Sequence, residues 1–297
     1  MAVNKHFHTS GSHAIAAEQN LYADLVSEAI QIYGHDVYYL DRTLVAEDTV
    51  FGTDALSKYQ TQAPIEMYME DSSGGFAEFS VMPLSSTIEI PKKMSFEVAA
   101  MTEPASCCFS GTEMIDYKNK PKILIIGSGI MGILCMLFIK QKDIDFVVVS
   151  EPNPLRRKMA MKLGADFVVD PNNKMSNKQL EELTNSKGFD ICVEAVGFPT
   201  LLDYGISKLR PRGQALMIGV HPEKSHLPSD LYDFHYREIK LFGAFGRGDS
   251  FNKTPERISN FGLDKLVSKI FSLDEINEAL VATSKGEGMK YMISPHQ

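Results

Sequence analysis

The stretch KILIIGSGIMGIL, residues 122–134, decides the fold of the second part of this chain. An apolar, strand-like run leads into three glycines with the G-x-G-x-x-G spacing of a dinucleotide-binding loop. The first glycine permits a tight turn, the second lets the backbone approach a pyrophosphate, and the third lets the following helix pack closely on the strand. The start of that helix offers N–H groups and a positive dipole end to phosphates. The predicted contacts are Gly127, Gly129, Ile130, Met131 and Gly132.

An acidic residue at the end of the next strand-like run indicates which nucleotide binds. Glu151 ends the run FVVVSE and lies nineteen positions after Gly132 (151 − 132). An acid at this place accepts hydrogen bonds from the adenosine ribose hydroxyls, and it would repel a 2′-phosphate, so NAD(H) is favoured over NADP(H). The alternative interpretation of Glu151 is a solvated charge at a strand end. Arg156 either lies over the adenine or is a surface arginine.

Strands and helices alternate from residue 122 onward. Apolar, β-branched runs predict strands at 122–127, 145–151, 165–170, 189–197, 213–220 and 239–245. Helical candidates fill the intervals between the first five, at 129–141, 154–163, 176–186 and 199–209. Strands joined by helical crossovers predict an α/β fold, with a buried parallel sheet covered by helices on both faces. Ahead of the sheet, residues 95–117 are predicted to be helical with an interruption at Pro104.

Composition and charge narrow the class of protein. The 297 residues predict about two domains, at roughly 150 residues each. The net charge of −8 with scattered lysines argues against a nucleic-acid partner, which needs clustered Lys and Arg. No run approaches the ~18 apolar residues of a membrane helix, and the N-terminus has no secretory signal, so no membrane association is expected. The four cysteines form no C-x-x-C pair, which indicates a reducing, cytoplasmic setting and excludes a four-cysteine zinc lobe.

From about residue 74 the chain resembles the zinc-type medium-chain dehydrogenases, the group of polyol, alcohol and threonine dehydrogenases. The matching phrases run in order: GGFAEFSVMP (74–83), MSFEVAAMTEPASCCFSG (94–111), the glycine stretch, FDICVEAVG (189–197), LRPRGQALMIGV (209–220), IKLFGAFGR (239–247) and FSLDEINEALVATSKGEGMKYMI (271–293). The resemblance implies a Rossmann domain, a doubly wound parallel sheet that binds NAD(H), and a truncated remnant of the family's GroES-like catalytic domain. It also implies a small-molecule alcohol as substrate.

The same resemblance implies further residues at the cofactor and a contact between subunits. Phe245 and Arg247 would lie near the cofactor or at a subunit edge. The apolar strand IKLFGAF would pair across a dimer axis, so a homo-oligomer is expected. For the two valines among the implied cofactor contacts, the alternative is simple sheet core. Those contacts, on the nicotinamide side, are Val196, Gly197, Gly219 and Val220.

A catalytic zinc needs about three protein ligands and an open position for the alcohol oxygen. The family supplies a cysteine in C-G-[TS]-D, a histidine in G-H-E, and a Glu or Cys in the helix that ends EP. In this sequence Glu103 alone matches, as a remnant metal-site residue, and the first cysteine is Cys107. Two phrases imitate the missing ligands, GHD with His35 and FGTD with Phe51, but phenylalanine has no thiolate and their order is reversed. We therefore expect an incomplete zinc site and impaired catalysis.

The first part of the chain resembles another family. Residues 18–70, with GHDVYYLDR, FGTDALSK and IEMY in order and a strand predicted at DVYYL, are similar to the start of the neck (head–tail connector) protein of contractile-tailed phages. Asp41 stands where that pattern has proline, and Thr53 where it has glutamate. The resemblance implies a structural α+β segment with no catalytic constellation. It makes virion neck components alternative partners, and the virion an alternative location to the host cytoplasm.

These resemblances divide the chain into segments with separate origins. The predicted segments are 1–72, like the neck protein; 73–117, the catalytic-domain remnant; 118–246, the NAD-binding Rossmann domain; and 247–297, a return to the catalytic-domain remnant. The join near residues 70–76 is either a real gene fusion or an assembly artefact. The function expected from the sequence is that of a dehydrogenase-like NAD(H)-binding protein. The alternatives are a phage neck structural protein and a non-catalytic NAD-binding module.

Overall fold

In this structure, a computed structural model, the residues described are 37–39, 76, 81–83, 88–246, 248–286 and 288–294. Contacts within the chain divide it into two compact units, Met1–Met101 with Gly262–Gln297, and Thr102–Phe261. In the first unit the predicted strand DVYYL is present as β1 (Val37–Tyr39), which pairs antiparallel with β2 (Val81–Pro83). The two imitation zinc ligands, His35 and Phe51, lie outside the described residues, as does Arg247.

The unit Thr102–Phe261 is built on a parallel sheet, as predicted. Its strands are β3 (Lys122–Ile126), β4 (Phe146–Ser150), β5 (Phe167–Val169), β6 (Phe189–Glu194), β7 (Leu209–Met217) and β8 (Lys240–Gly243). They form one six-stranded sheet in the order β5-β4-β3-β6-β7-β8, and every neighbouring pair is parallel. This is the strand order of the doubly wound Rossmann fold, in which the direction of winding reverses beside the first strand. The predicted α/β class is therefore confirmed.

Helices cover both faces of this sheet. The chain forms α1 (Phe96–Ala99) in the first unit, and α2 (Thr102–Thr112), α3 (Ile130–Ile139), α4 (Pro154–Lys162), α5 (Ser176–Leu183), α6 (Pro199–Ser207), α7 (Leu231–Tyr236) and α8 (Thr254–Ile258) in the second. Close glycine contacts show which face two of the helices cover. A Cβ on Gly205 of α6 would lie 2.5 Å from the sulfur of Cys192, so α6 covers the face to which Cys192 points. A Cβ on Gly111 of α2 would lie 3.7 Å from Leu216 Cδ1, so α2 covers the other face. Because both faces are covered, successive strand residues are buried, which explains the continuous apolar runs in the sequence.

The strand register brings the carboxyl ends of the central strands to one level. Ile126 at the end of β3 is the partner of both Ser150 in β4 and Glu194 in β6, and Glu194 is the partner of Met217 in β7. The residues that follow these four positions therefore start their loops side by side. This edge of a doubly wound sheet, next to the point where the winding reverses, is where such folds bind nucleotides.

The helix around Pro104 differs from the prediction in one respect. The interruption lies at Ala100 and Met101, between α1 and α2, and Pro104 falls in the first turn of α2. A first-turn N–H has no acceptor within its own helix, so proline loses nothing there. Glu103 consequently lies in the first turn of a helix rather than at the end of one. The regular helix stops at Thr112, five residues before the predicted end at Tyr117.

The C-terminal part of the first unit is a strand, a helix and a parallel strand. They are β9 (Val267–Ser272), α9 (Ile276–Lys285) and β10 (Lys290–Ser294). Between β9 and α9, Ser272 and Glu275 form a capping box, in which the carboxylate accepts from the Ser272 amide at 2.9 Å. No helix in the described part of the chain has the length and hydrophobicity that a bilayer span requires.

Candidate functional site

The glycine loop has the geometry that its spacing predicts. Gly127 has φ +90°, a left-handed conformation that L side chains rarely adopt, so the chain turns sharply after β3. A Cβ on Gly132 would lie 2.1 Å from the carbonyl oxygen of Gly127, so α3 reaches the turn because this position lacks a side chain. A Cβ on Gly129 would meet nothing within 4 Å, so this glycine faces open space. One side of the loop therefore packs closely against the protein, and the other side is open to a ligand.

The first turn of α3 supplies donors at this open side. Gly129 is the N-cap residue, and the helix begins at Ile130. The first N–H groups of a helix have no carbonyl partner within it, and the summed peptide dipoles make that end positive. Gly129, Ile130 and Met131 are each partly exposed, whereas Ser128 and Gly132 are buried. This arrangement fits a pyrophosphate, which needs backbone donors and close approach of the chain.

The carboxylate of Glu151 joins this loop to the next one. Its Oε2 accepts hydrogen bonds from the Ser128 amide at 2.8 Å and the Ser128 hydroxyl at 3.3 Å. Its Oε1 accepts from the Asn153 amide at 2.9 Å. Glu151 is 4% exposed, so the interpretation as a solvated charge is wrong. The glycine loop and the acid, predicted separately from the sequence, are in direct contact.

An arginine that the sequence did not single out supports the same corner. Arg157 in α4 donates to the carbonyl of Glu151 at 2.6 Å and pairs with Asp170 Oδ2 at 3.1 Å. Arg156, the predicted adenine contact, is half-buried in the first turn of α4, and its amide donates to Asn153 Oδ1 at 3.3 Å. Arg156 and Arg157 are adjacent in the sequence, and nothing in the sequence pattern indicates that Arg157 is the one that bonds the backbone carbonyl of Glu151.

The loops after β6 and β7 touch through their backbones. Gly197 has φ +98°, and a Cβ on it would lie 2.3 Å from the carbonyl oxygen of Val220. A Cβ on Gly219 would lie 2.2 Å from the Gly197 nitrogen. Val196 is 43% exposed and Val220 is 82% exposed, so their interpretation as sheet core is wrong. The four residues implied for the nicotinamide side therefore form one surface at the carboxyl edge of the sheet.

Two further residues hold these loops, and neither was predicted as a site residue from the sequence. Glu194, the last residue of β6, is fully buried, and its Oε1 accepts from the amides of Val196 at 2.9 Å and Gly197 at 2.8 Å. His221 follows Val220, and its Nε2 lies 3.6 Å from Glu194 Oε2. A carboxylate at the end of the apolar run FDICVE was the available signal, because a charge in a buried strand needs partners.

Comparison with known proteins shows which family this part of the chain resembles. The family model for zinc-binding dehydrogenases matches residues 131–267. From about residue 74 onward, the chain resembles the zinc-type medium-chain dehydrogenases. L-threonine 3-dehydrogenase from Pyrococcus abyssi is 28% identical over 194 residues, 64% of this chain and 54% of that protein. Sorbitol dehydrogenase from Bacillus subtilis is 25% identical over 75% of this chain and 64% of its own length.

The solved structures agree on the fold. A protein described as a zinc-binding dehydrogenase from Sinorhizobium meliloti 1021, solved bound to NADP, aligns with a TM-score of 0.69 and 23% identity. The alignment covers 75% of this chain and 66% of that one. The chain spans about half the length of the first curated dehydrogenases it matches. What the resemblance establishes is a dehydrogenase-like nucleotide-binding fold.

The first part of the chain matches a different family. The family model for the virus neck protein matches residues 4–80. This confirms the resemblance predicted for residues 18–70. The two matched ranges do not overlap, which agrees with a chain that joins parts of two unrelated proteins.

The zinc of the dehydrogenase family does not fit the described residues. Glu103 Oε1 accepts a hydrogen bond from the Cys107 thiol at 3.4 Å, one turn further along α2. This contact places two potential metal ligands, a carboxylate and a thiol, on one face of the helix. Cys108 is buried, and burial raises the pKa of its thiol well above the usual value, with the neighbouring Cys135 adding to the effect. The Cys108 thiol donates to the carbonyl oxygen of Met131 at 3.4 Å, so it is engaged within the protein. In the part of the chain that the structure describes, no group of three His, Cys, Asp or Glu side chains could hold a metal.

Proposed function

We propose that this chain binds NAD(H) at the carboxyl edge of its parallel sheet and that it lacks a complete zinc site for hydride transfer. The observation that carries the proposal is the open side of the glycine loop, where Gly129 faces empty space beside the first turn of α3. A bound nucleotide would place its pyrophosphate on these amides. When bound, the nicotinamide would supply the hydride chemistry, and the residues of this chain would bind and orient it.

The preference for NAD(H) over NADP(H) rests on Glu151. A buried carboxylate beside the adenosine ribose would repel a 2′-phosphate, because the groups that donate to its oxygens are neutral: the Ser128 amide and hydroxyl and the Asn153 amide. The solved neighbour bound to NADP shares the fold, but the fold does not decide between these cofactors. The choice depends on the residue at the end of β4, which in this chain is an acid.

Calorimetry of the full chain with NADH and with NADPH tests this site. We expect NADH to bind at least about tenfold more tightly than NADPH, which corresponds to about 1.4 kcal/mol. Glu151→Gln should lower the ratio of the NADH affinity to the NADPH affinity, because the substitution removes the charge and keeps the side-chain shape. The ratio is the readout, since any general loosening of the glycine loop weakens both ligands. No binding of NADH at millimolar concentration would refute the proposal. The chain has no Trp, so calorimetry is preferable to protein fluorescence.

Metal analysis and turnover test the second half of the proposal. We expect the purified chain to hold no stoichiometric zinc, and its turnover of NAD with polyols or threonine to be close to background. The reason is that an alcohol gives up hydride only when its alkoxide is stabilised, which in this family requires the metal. Zinc at one equivalent together with turnover would show that the site is completed by residues outside the described part of the chain.

A second candidate function follows from the virus neck protein match at residues 4–80. Under this proposal the N-terminal segment places the chain in a virion and contacts portal or tail components. Recovery of those components with the full chain, and their loss when residues 1–72 are removed, would support it. The proposed NAD(H) site lies outside the matched segment, so the two functions can be tested separately.

A further inference from the structure

A buried glutamate and a histidine link the two loops after β6 and β7. Glu194 is fully buried, and 17% of the His221 side chain is exposed. Oε1 of Glu194 accepts hydrogen bonds from the amides of Val196 and Gly197, and Oε2 lies 3.6 Å from His221 Nε2. Among the residues that the structure describes, neither this second oxygen nor His221 Nε2 has a hydrogen-bond partner, and both atoms are buried. A buried carboxylate oxygen and a buried ring nitrogen therefore face each other.

The surroundings of the ring determine what its protons can do. His221 Nδ1 lies 3.1 Å from the carbonyl oxygen of Gly219, which can only accept a hydrogen bond. Nε2 faces a carboxylate, which also only accepts when ionised. A neutral imidazole has one N–H, so one of its nitrogens would turn a lone pair toward an oxygen. With Glu194 ionised, only the doubly protonated ring presents an N–H toward both oxygens.

Glu194 is the carboxylate that faces this ring. Among the described residues, its Oε2 is the acidic oxygen within 4.0 Å of a ring nitrogen of His221. The other titratable groups of the same loop, Glu223, Lys224 and His226, are exposed. From α6, Asp203 accepts from the Ser229 hydroxyl at 2.6 Å, further along that loop. The carboxylate nearest to the ring nitrogens of His221 is therefore that of Glu194.

The pair lies where the second half of a dinucleotide would be. A dinucleotide crosses the sheet edge at the point where the winding reverses, with its adenosine ribose beside the acid after β4. The other half must then lie over the loops after β6 and β7, on the opposite side of the glycine loop. Those are the loops whose backbones touch at Gly197 and Val220.

We propose that Glu194 and His221 form a proton-dependent positioning pair for the nicotinamide half of the cofactor. Glu194 fixes the first loop through its amides, and doubly protonated His221 ties the second loop to Glu194. When His221 loses its second proton, a lone pair faces a buried carboxylate, and the two loops are no longer held together. This inference rests on the proposed NAD(H) site and adds a pH-dependent element to it.

The test compares NADH with ADP-ribose, which carries the adenosine and pyrophosphate but no nicotinamide. In calorimetry on the full chain, the ratio of the ADP-ribose affinity to the NADH affinity should increase as the pH rises from about 6 to about 9, a range in which histidine loses its charge. Glu194→Gln should flatten this dependence, because an amide satisfies a neutral imidazole. His221→Leu should weaken NADH by about tenfold while ADP-ribose changes less than about twofold. His226→Leu, at an exposed histidine of the same loop, is the matched control and should behave like the unmodified chain.

The possible outcomes separate this inference from the proposed function. If neither NADH nor ADP-ribose binds the unmodified chain, the nucleotide site itself is refuted, and the pair has no cofactor to position. If both bind but the ratio is independent of pH and unchanged by His221→Leu, the pair is structural and the inference is wrong. Should His221→Leu fail to fold, the pH series on the unmodified chain and on Glu194→Gln still decides.

Discussion

Gly132→Ala is expected to lower the free energy of unfolding by about 3 kcal/mol and to weaken NADH binding by more than about tenfold. The added methyl group would lie 2.1 Å from the Gly127 carbonyl oxygen and 3.0 Å from its carbon, both of them backbone atoms. Since that contact is sterically impossible, α3 must move away from the turn or the turn must open. Either movement displaces the amides that would hold the pyrophosphate. Urea unfolding followed by far-UV circular dichroism measures the first effect, and calorimetry measures the second.

Gly129→Ala is the matched control for this prediction. Its Cβ would meet nothing within 4 Å, and its φ of −63° is acceptable for alanine. Losing glycine at the N-cap costs at most about 1 kcal/mol of stability. The methyl group would, however, stand in the open space where the pyrophosphate approaches. NADH binding should therefore weaken without a comparable loss of stability. If Gly132→Ala keeps full stability, α3 does not approach the turn as closely as the structure indicates.

The parts of the site that could be predicted are those that local spacing encodes. The three glycines lie within six residues, and each role is a property of the backbone at its own position. The distance from Gly132 to Glu151 is set by one helix and one strand, so the acid could be assigned to the carboxyl edge. Because β3 is in register with β4 and β6, the residues that follow these strands lie together at one edge of the sheet.

The parts that could not be predicted depend on contacts between segments far apart in sequence. Glu151 bonds Ser128, 23 positions before it, and the direction of a carboxylate is not visible in a strand pattern. His221 meets Glu194 because the loops after two neighbouring strands come together, which needs the strand order. The interruption predicted at Pro104 was wrong for another reason, because proline breaks a helix interior but is tolerated in a first turn.

Phe138→Ala is expected to lower the free energy of unfolding by about 3–5 kcal/mol. Phe138 in α3 is 2% exposed, and its ring lies 5.2 Å from that of Phe109 in α2 and 5.1 Å from that of Phe261. Removing it leaves a cavity between helices that pack on one face of the sheet, and it also breaks two aromatic contacts, each contributing about 0.5–1.5 kcal/mol. The urea midpoint of the full chain, with the slope held common to both proteins, measures the change.

Phe167→Ala provides the comparison, because the same atoms are removed from the edge strand β5. Phe167 is 41% exposed, and its ring contacts Phe146 at 5.5 Å. Less apolar surface returns to water there, so the expected loss is about 1–2 kcal/mol. The effect at position 138 should exceed the effect at position 167, since α3 carries the glycine loop at its N-terminus and depends on this packing for its position. Equal losses at the two positions would mean that α3 is not anchored through Phe138.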